Sequence, residues 1–240
     1  MKGTIRTKPV QDDAWLFWLM GQFEDIYDIV VNIGLSSLYA KIQNPDKRLL
    51  LVDPNREAIA LAAKNLIVNG WIGRCQFEYT FVSHQAGKLI PFYTVGAGAA
   101  GSMFKGHAQT AAAISSCIQV PTITIDDLYK KYGWLPEFIK VDVEGAEAQV
   151  LEGSALVASF QKTWFMVEMH SPPELPMTKN AELVLKWCES VDYQPWYMKD
   201  AQKLDSPDMI AHRGKCHLLL IPKGTEYPME LSRIKQGSTI

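Results

Sequence analysis

The sequence predicts an α/β fold in which short buried strands alternate with helices. Three apolar runs rich in aliphatic and β-branched residues support this prediction, at 26–31, 48–53 and 138–141. Such runs are typical of parallel strands that are buried on both faces. Two of them end on acids, because Asp53 closes the second run and Asp142 follows the third. Ligands of open α/β sheets bind at the carboxyl ends of the strands, so we expect the functional residues there.

The composition fits one domain that spans residues 1–240. The 48% hydrophobic content supports a sizeable core, and a second independent core is not expected at this length. The formal net charge of −2 provides no general attraction to nucleic acid or to an anionic membrane, and no segment approaches the length of a membrane span. The four cysteines are scattered without a CxxC pair, which indicates reduced thiols in a cytoplasmic protein.

The N-terminal half alternates helices and strands. Residues 1–11 are polar and are predicted to form a loose tail, after which Asp12 or Asp13 caps a short helix that ends at Gln22. The elements that follow are a strand at 26–31, a helix at 35–43, a strand at 48–53, a helix at 55–69, a strand at 75–82 and an added strand at 89–95. The long helix stops at Asn69-Gly70, a typical C-terminal signal.

The segment 96–106, with the sequence GAGAAGSMFKG, is predicted to be a flexible Gly/Ala loop. It contains too many glycines for a stable helix. It does not match a phosphate-binding loop, because Lys105 lacks the required glycine spacing and a following Ser or Thr. A mobile lid over the substrate and a plain linker are both compatible with this composition.

The C-terminal half continues the alternation. We predict an extended run at 119–125, a helix at 127–132, a strand at 138–141, a helix from 145 to 153, a strand at 163–169, a helix at 179–190 and strands at 193–198 and 216–221. Residues 223–240 are polar and are predicted to trail over the surface.

Acids cluster after the strand at 138–141, where Asp142, Glu144 and Glu147 follow one another. Buried carboxylates are costly unless a ligand or a partner uses them. Gly145 begins a helix with Val150 and Leu151 on its apolar stripe, and helix N-termini favour acids. Asp142 could therefore simply cap this helix, and Glu147 could simply complement the helix dipole. For Glu147 this structural role is favoured over a functional one.

Asp53 lies about 20 residues after the turn at Gly34, the interval at which an acid binds ribose hydroxyls in dinucleotide-type folds. A carboxylate at a strand end can accept two hydrogen bonds from a vicinal diol. The alternative role for Asp53 is the N-cap of the next helix. Asn55 can fill that position instead, which favours the ribose role.

Three sequence blocks in order resemble the FkbM family of S-adenosylmethionine-dependent methyltransferases: VPTITIDDL at 120–128, KVDVEGAE at 140–147 and VEMH at 167–170. The resemblance implies a Rossmann-like class I methyltransferase fold. Such a fold has a mostly parallel seven-stranded sheet that ends in an antiparallel hairpin, with helices on both faces. It also implies S-adenosylmethionine as cofactor and O-methylation of a hydroxyl on a small molecule or a glycan.

The resemblance places the cofactor at the carboxyl edge of the sheet, near Asp28, Val30, Asn32, Gly34, Asp53, Ser83 and Asp142. One position departs from the family pattern Asp-x-Gly-Ala-Asn-x-Gly, since Val30 stands where the first glycine is expected. Glycine there permits a positive φ and a close approach of the cofactor. A valine with positive φ is an outlier, so the sequence predicts either a reshaped turn or weakened binding.

The candidate catalytic residues are His170, Glu144 and Glu168. Methyl transfer to oxygen depends on alignment and on a group that takes the hydroxyl proton, and histidine suits that role near neutral pH. His170 is the first choice and Glu144 the second, while Glu168 orients His170 or binds substrate. An equally favoured interpretation is that His170 is a loop residue before Ser171 without a catalytic role.

Three other readings are compatible with parts of the sequence. The acids and His170 could form a Mg²⁺ or Ca²⁺ site, but nothing in the sequence fixes their geometry and we predict no metal. A nicotinamide-dependent oxidoreductase agrees with Asp53 but lacks the GxGxxG glycines. A family member that lost cofactor binding through Val30 would serve as a binding module.

Overall fold

The computed structural model describes residues 11–94, 101–104 and 116–238. The helices are α1 (Gln11–Gln22), α2 (Leu35–Gln43), α3 (Arg56–Val68), α4 (Ile125–Tyr132), α5 (Glu147–Glu152), α6 (Ala155–Ser159), α7 (Met177–Ser190), α8 (Pro207–Ala211) and α9 (Met229–Arg233). The strands are β1 (Asp25–Ile29), β2 (Arg48–Asp53), β3 (Cys75–Tyr79), β4 (Phe81–Val82), β5 (Leu89–Tyr93), β6 (Cys117–Ile123), β7 (Phe138–Val141), β8 (Trp164–Met169), β9 (Tyr193–Tyr197), β10 (Gln202–Lys203) and β11 (Cys216–Pro222). Within these ranges, no helix combines the length and apolar character needed to cross a bilayer.

The large sheet has the order β10-β9-β11-β8-β7-β1-β2-β3, and a second sheet has the order β4-β6-β5. Strands β3, β2, β1, β7 and β8 are parallel, whereas β11 is antiparallel to both β8 and β9. This confirms the mostly parallel α/β sheet with an antiparallel end. The large sheet contains eight strands rather than the predicted seven because the two-residue β10 adds to its edge.

Helices cover both faces of the large sheet, as predicted. One core joins the sheet to α1, α2, α3 and α9 through buried residues such as Trp15, Ala40 and Leu66. The other core joins the opposite face to α4 through α8 and includes Val150 and Val184. Because helices block both faces, the carboxyl ends of β1, β2, β7 and β8 form the edge where a ligand can meet the sheet.

The predicted strand at 75–82 is wrong, because the chain divides it between two sheets. β3 pairs with β2 in the large sheet, whereas β4 pairs with β6 in the small one. The break falls at Thr80, whose hydroxyl donates to the carbonyl of Pro121 (2.8 Å). This bond holds the chain against β6 as it leaves β3.

The C-terminal segment differs from the predicted loose tail. It forms α9, Leu231 is fully buried there, and the side chain of Gln11 donates to the carbonyl of Ile234 (2.8 Å). Apolar residues within a polar stretch therefore attach this segment to the core that contains α1. Of the predicted tail at 1–11, residues 1–10 lie outside the described residues and Gln11 begins α1. Of the predicted Gly/Ala loop at 96–106, residues 96–100 and 105–106 lie outside them.

Candidate active site

The turn after β1 has a left-handed backbone at three positions. Val30 has φ 60°, Asn32 has φ 53° and Gly34 has φ 85°. The amides of Val30 and Val31 both donate to the carbonyl of Val52, at 2.8 and 3.1 Å. The valine thus adopts the positive φ that a glycine would take, and β2 holds its amide in that conformation.

Asp53 ties this turn to the start of α3. One carboxylate oxygen accepts from the amide of Asn32 (2.8 Å) and the other from the amide of Asn55 (2.8 Å). Asn55 is itself the N-cap of α3, because its side chain accepts from the amide of Glu57 (2.9 Å). Burial raises the pKa of Asp53 to about 6, although its two backbone hydrogen bonds oppose the shift.

Asp28 and Lys140 face each other across the paired strands β1 and β7. One oxygen of Asp28 accepts from the hydroxyls of Ser36 and Ser37 at the start of α2. The ammonium nitrogen of Lys140 lies 3.6 Å from the other oxygen, 3.7 Å from Asp142 and 3.0 Å from the carbonyl oxygen of Val30. Asp28 is almost fully buried, so its contacts are with the protein interior.

Ser83 lies just after β4, at the border of the small sheet. Its hydroxyl donates to the side-chain oxygen of Gln149 in α5 (3.1 Å), and its amide donates to the carbonyl of Ile123 (2.9 Å). Gly153 approaches closely, since an added Cβ would lie 2.3 Å from the Ser83 carbonyl oxygen. Ser83 therefore joins β4 to α5, while Asp53 and Lys140 contact the turn after β1 and Asp28 contacts the start of α2.

His170 follows β8 directly and lies in a cluster of acids. Its Nδ1 is 2.9 Å from Oε1 of Glu147, and its Nε2 is 3.2 Å from Glu144 and 3.9 Å from Glu168. The imidazole is only 3% exposed. The structure thus brings the three candidate catalytic residues together.

Glu147 is the residue that orients His170. Its carboxylate is fully buried, with Oε1 accepting from the amide of Gly145 (2.8 Å) and Oε2 accepting from the side chain of Asn180 (2.8 Å). Asn180 also donates to the carbonyl of His170 (3.0 Å). A carboxylate facing Nδ1 keeps a proton on that nitrogen and directs Nε2 towards the other acids.

The acids around His170 change its protonation. Burial alone lowers its pKa, but the hydrogen bond and charge of Glu147 and the charges of Glu144 and Asp142 outweigh burial and raise the pKa to about 9. Burial raises the pKa of Glu168, yet the charge of His217 and the contact with Lys215 outweigh that effect and lower it. The acids around His170 therefore favour its protonated form.

The ligand atoms of Asp142, Glu168 and His170 lie within 4.8 Å of one another, a spacing that could hold a metal ion. Two ammonium groups already compensate these acids. Lys215 lies 2.6 Å from Glu168 and Lys140 lies 3.7 Å from Asp142. Each of these two acids therefore has an ammonium group beside it.

Residues 101–104 lie over the turn that carries Glu144. The hydroxyl of Ser102 donates to the carbonyl of Glu144 (2.9 Å) and accepts from the amide of Phe104 (3.0 Å). Glu144 has a positive φ of 52°, and Gly145 follows at 109°. Ser102 therefore stabilises the bend that aims Glu144 at His170.

Sequence reasoning missed the roles of Glu147, Asn180 and Lys140. One signal was present for Glu147, which precedes Val150 and Leu151 by three and four residues and so shares their apolar helix face. An acid on a buried face needs a buried partner. No local signal identified Asn180 as that partner.

Known proteins resemble this chain in family and in fold. The family model described as the methyltransferase FkbM domain matches residues 28–195. The crystal structure of a methyltransferase FkbM from Methylobacillus flagellatus is similar at TM-score 0.53 and 17% identity, covering 82% of this chain and 43% of that one. The protein thus spans less than half the length of that relative.

A second similar structure is a "putative rRNA-methylase" from Clostridium thermocellum. It has TM-score 0.51 and 11% identity, and the match covers 88% of this chain and 94% of that one. At these identities the two structures establish the fold alone, and they confirm the predicted class I methyltransferase fold. No curated protein sequence matches the chain.

Proposed function

Since the chain belongs to the FkbM methyltransferase family, we propose that it uses S-adenosylmethionine to methylate a hydroxyl oxygen of a small molecule or a glycan. The main support is the position of His170, a buried imidazole held by Glu147 at the carboxyl edge of the sheet. The net charge of −2 favours such an acceptor over nucleic acid or an anionic membrane, and a cytoplasmic setting agrees with four free cysteines.

Two buried oxygens along this edge fit the cofactor. Asn32 Oδ1 and Asp142 Oδ1 have no hydrogen-bond partner among the described residues. Buried acceptors without a donor are costly, and S-adenosylmethionine offers an ammonium group and ribose hydroxyls as donors. We assign cofactor contacts to Asn32, Gly34, Asp53 and Asp142, an adenine-side position to Ser83, and the shaping of the turn to Asp28 and Val30.

The chain contributes alignment and a proton acceptor to the reaction. S-adenosylmethionine, when bound, would supply an electrophilic methyl carbon, and its sulfonium sulfur would leave as a neutral thioether when the carbon–sulfur bond breaks. His170 Nε2 accepts the hydroxyl proton as the oxygen forms its bond to carbon, and Glu147 stabilises the resulting imidazolium. Glu144, 3.2 Å from the same nitrogen, orients the hydroxyl. Because His170 must be neutral to accept a proton, activity rises with pH towards its pKa of about 9.

Calorimetric titration with S-adenosylmethionine and with NAD tests the cofactor assignment. Binding of S-adenosylmethionine alone is the expected result, and binding of NAD alone would replace the proposal with the oxidoreductase reading. Transfer of a labelled methyl group to sugars and hydroxylated metabolites then tests the acceptor class. Labelling at nitrogen or carbon but never at oxygen would overturn O-methylation.

The strained Val30 favours a second candidate, a family member that keeps the fold as a binding module. In that case neither cofactor would produce heat on titration, and no acceptor would take up label.

A further inference from the structure

Val30 has a backbone conformation that a β-branched residue seldom adopts. Its φ of 60° brings the side chain close to its own backbone, a crowding that glycine avoids. Strained conformations persist only where surrounding contacts determine them. The contacts of the Val30 backbone therefore reveal what holds the turn.

Both polar backbone groups of Val30 are held by neighbouring strands. Its amide donates to the carbonyl of Val52 at the end of β2 (2.8 Å), and its carbonyl accepts from the ammonium group of Lys140 in β7 (3.0 Å). The first contact is a backbone pair that any residue could make. The second depends on the side chain of Lys140.

Acids on two sides position the ammonium group of Lys140. Asp28 lies 3.6 Å away across the paired strands, and Asp142 lies 3.7 Å away after β7. Asp28 is in turn fixed by two serine hydroxyls of α2. Burial alone would lower the pKa of Lys140, but these acids outweigh it and raise the pKa, so the ammonium remains charged.

We propose that Lys140 is a positioning residue for the cofactor-binding turn, and that its ammonium holds the Val30 carbonyl so that a valine can occupy a glycine conformation. The link to cofactor affinity rests on the function proposed above, whereas the hold on the turn does not. The contact between Lys140 and the Val30 carbonyl explains how a valine can occupy this position while the turn keeps the conformation that glycine would adopt.

A double-mutant cycle between Lys140→Met and Val30→Gly tests this proposal. Methionine keeps an unbranched stem of four heavy atoms but removes the terminal donor and its charge. Glycine adopts a positive φ without needing the hydrogen bond from Lys140. We therefore expect Lys140→Met to destabilise the Val30→Gly protein less than the wild-type protein. The measurement is the denaturant midpoint of each of the four proteins. Loss of charge beside Asp28 and Asp142 is common to both backgrounds and cancels in the cycle.

The same four proteins are then titrated with S-adenosylmethionine. In the wild-type background, Lys140→Met should weaken binding by roughly tenfold or more, the value of a charged hydrogen bond. In the Val30→Gly background the loss should be about threefold or less. Lys140→Arg should restore part of the affinity, because guanidinium is also a charged donor.

Lys215→Met is the matched control. Lys215 pairs with Glu168 at the same edge (2.6 Å), so its loss changes the local charge without touching Val30. It should show no coupling to Val30→Gly. Additive denaturant midpoints for Lys140 and Val30 would overturn the proposal. If the midpoints are coupled but no variant binds S-adenosylmethionine, the role of Lys140 in holding the turn is supported and the proposed function is rejected.

Discussion

His170 and Glu147 form a pair in which a fully buried carboxylate faces a nearly buried imidazole. The carboxylate has three donors or partners, in Gly145, Asn180 and His170 itself. Removing one member of such a pair leaves the other charged or polar group without compensation. The predictions at this scale therefore depend on which atom is changed, and they separate proton transfer from cofactor binding.

His170→Ala should slow turnover about 10²–10⁴-fold and leave S-adenosylmethionine affinity nearly intact, because it removes the proton acceptor and not a cofactor contact. The low-pH limb of the rate profile should disappear with the imidazole. Single-turnover rates and calorimetry measure the two effects. In Glu144→Gln a slower enzyme that keeps its pH dependence is expected. Near-normal turnover in His170→Ala would transfer the role to Glu144 or to water.

Glu147→Gln should lower the pKa of His170, since it replaces the charge that contributes most to raising that pKa. The rising limb of kcat/KM, expected near pH 9 in the wild-type protein, should then move to lower pH. The pH profile is the measurement. Glu152→Gln is the matched control, because Glu152 is exposed at the far end of the same helix. A limb that stays in place would show that another group controls it.

Asp53→Ala should weaken S-adenosylmethionine binding by about 1.5–3 kcal/mol, the typical value of hydrogen bonds to a charged group. The loss has two sources, the proposed ribose contact and the amide of Asn32 that Asp53 holds. Calorimetric titration measures it, and the exposed Asp46→Ala serves as control. Unchanged affinity would remove Asp53 from the site.

At the scale of elements, the C-terminal helix α9 acts as part of the fold. Leu231→Ala should lower the free energy of unfolding by about 2–5 kcal/mol, because it leaves a cavity at a fully buried position. Denaturant unfolding gives the value. Met229→Ala on the same helix, at 67% exposure, should change it little. Equal effects of the two substitutions would mean that α9 detaches in solution.

Elements with local signals were predictable, and those that depend on distant partners were not. The predicted bounds of segments 35–43 and 48–53 match the observed ones, because an apolar pattern and a terminator lie within each segment. The break at Thr80 depends on Pro121, 41 positions away, and so has no local signature. In the candidate site, His170 was identifiable from its place after a strand, whereas Asn180 reaches Glu147 from 33 positions away.

At the scale of the whole molecule, the carboxyl edge combines groups whose protonation is linked to folding. Asp53 has its pKa raised to about 6 by burial and His170 has its pKa raised to about 9 by acids. For either group the folded state favours the protonated form, so the free energy of unfolding falls as pH rises towards the folded pKa. The fall due to Asp53 lies below about pH 6, and the fall due to His170 lies above neutral pH.

The stability of the protein should therefore fall between about pH 6.5 and pH 9. A histidine whose folded pKa exceeds its unfolded value contributes fully below the unfolded pKa, and the contribution is lost as pH rises through the folded pKa. For His170 the groups that face it are Glu147, Glu144, Asp142 and Glu168, and the loss is on the order of 3 kcal/mol. Denaturant unfolding at fixed ionic strength across this range measures it.

His170→Gln should flatten that decline, since glutamine keeps a polar side chain but does not titrate. The variant will be less stable than wild type at pH 6.5, where the imidazolium pairs with Glu147, and the two proteins should converge towards pH 9 and above. His212→Gln is the control, because His212 is exposed and lies outside this cluster. A wild-type protein whose unfolding free energy is level from pH 6.5 to 9 would show that folding does not raise the pKa of His170. A limb of catalysis near pH 9 would then have to arise from a group other than this imidazole.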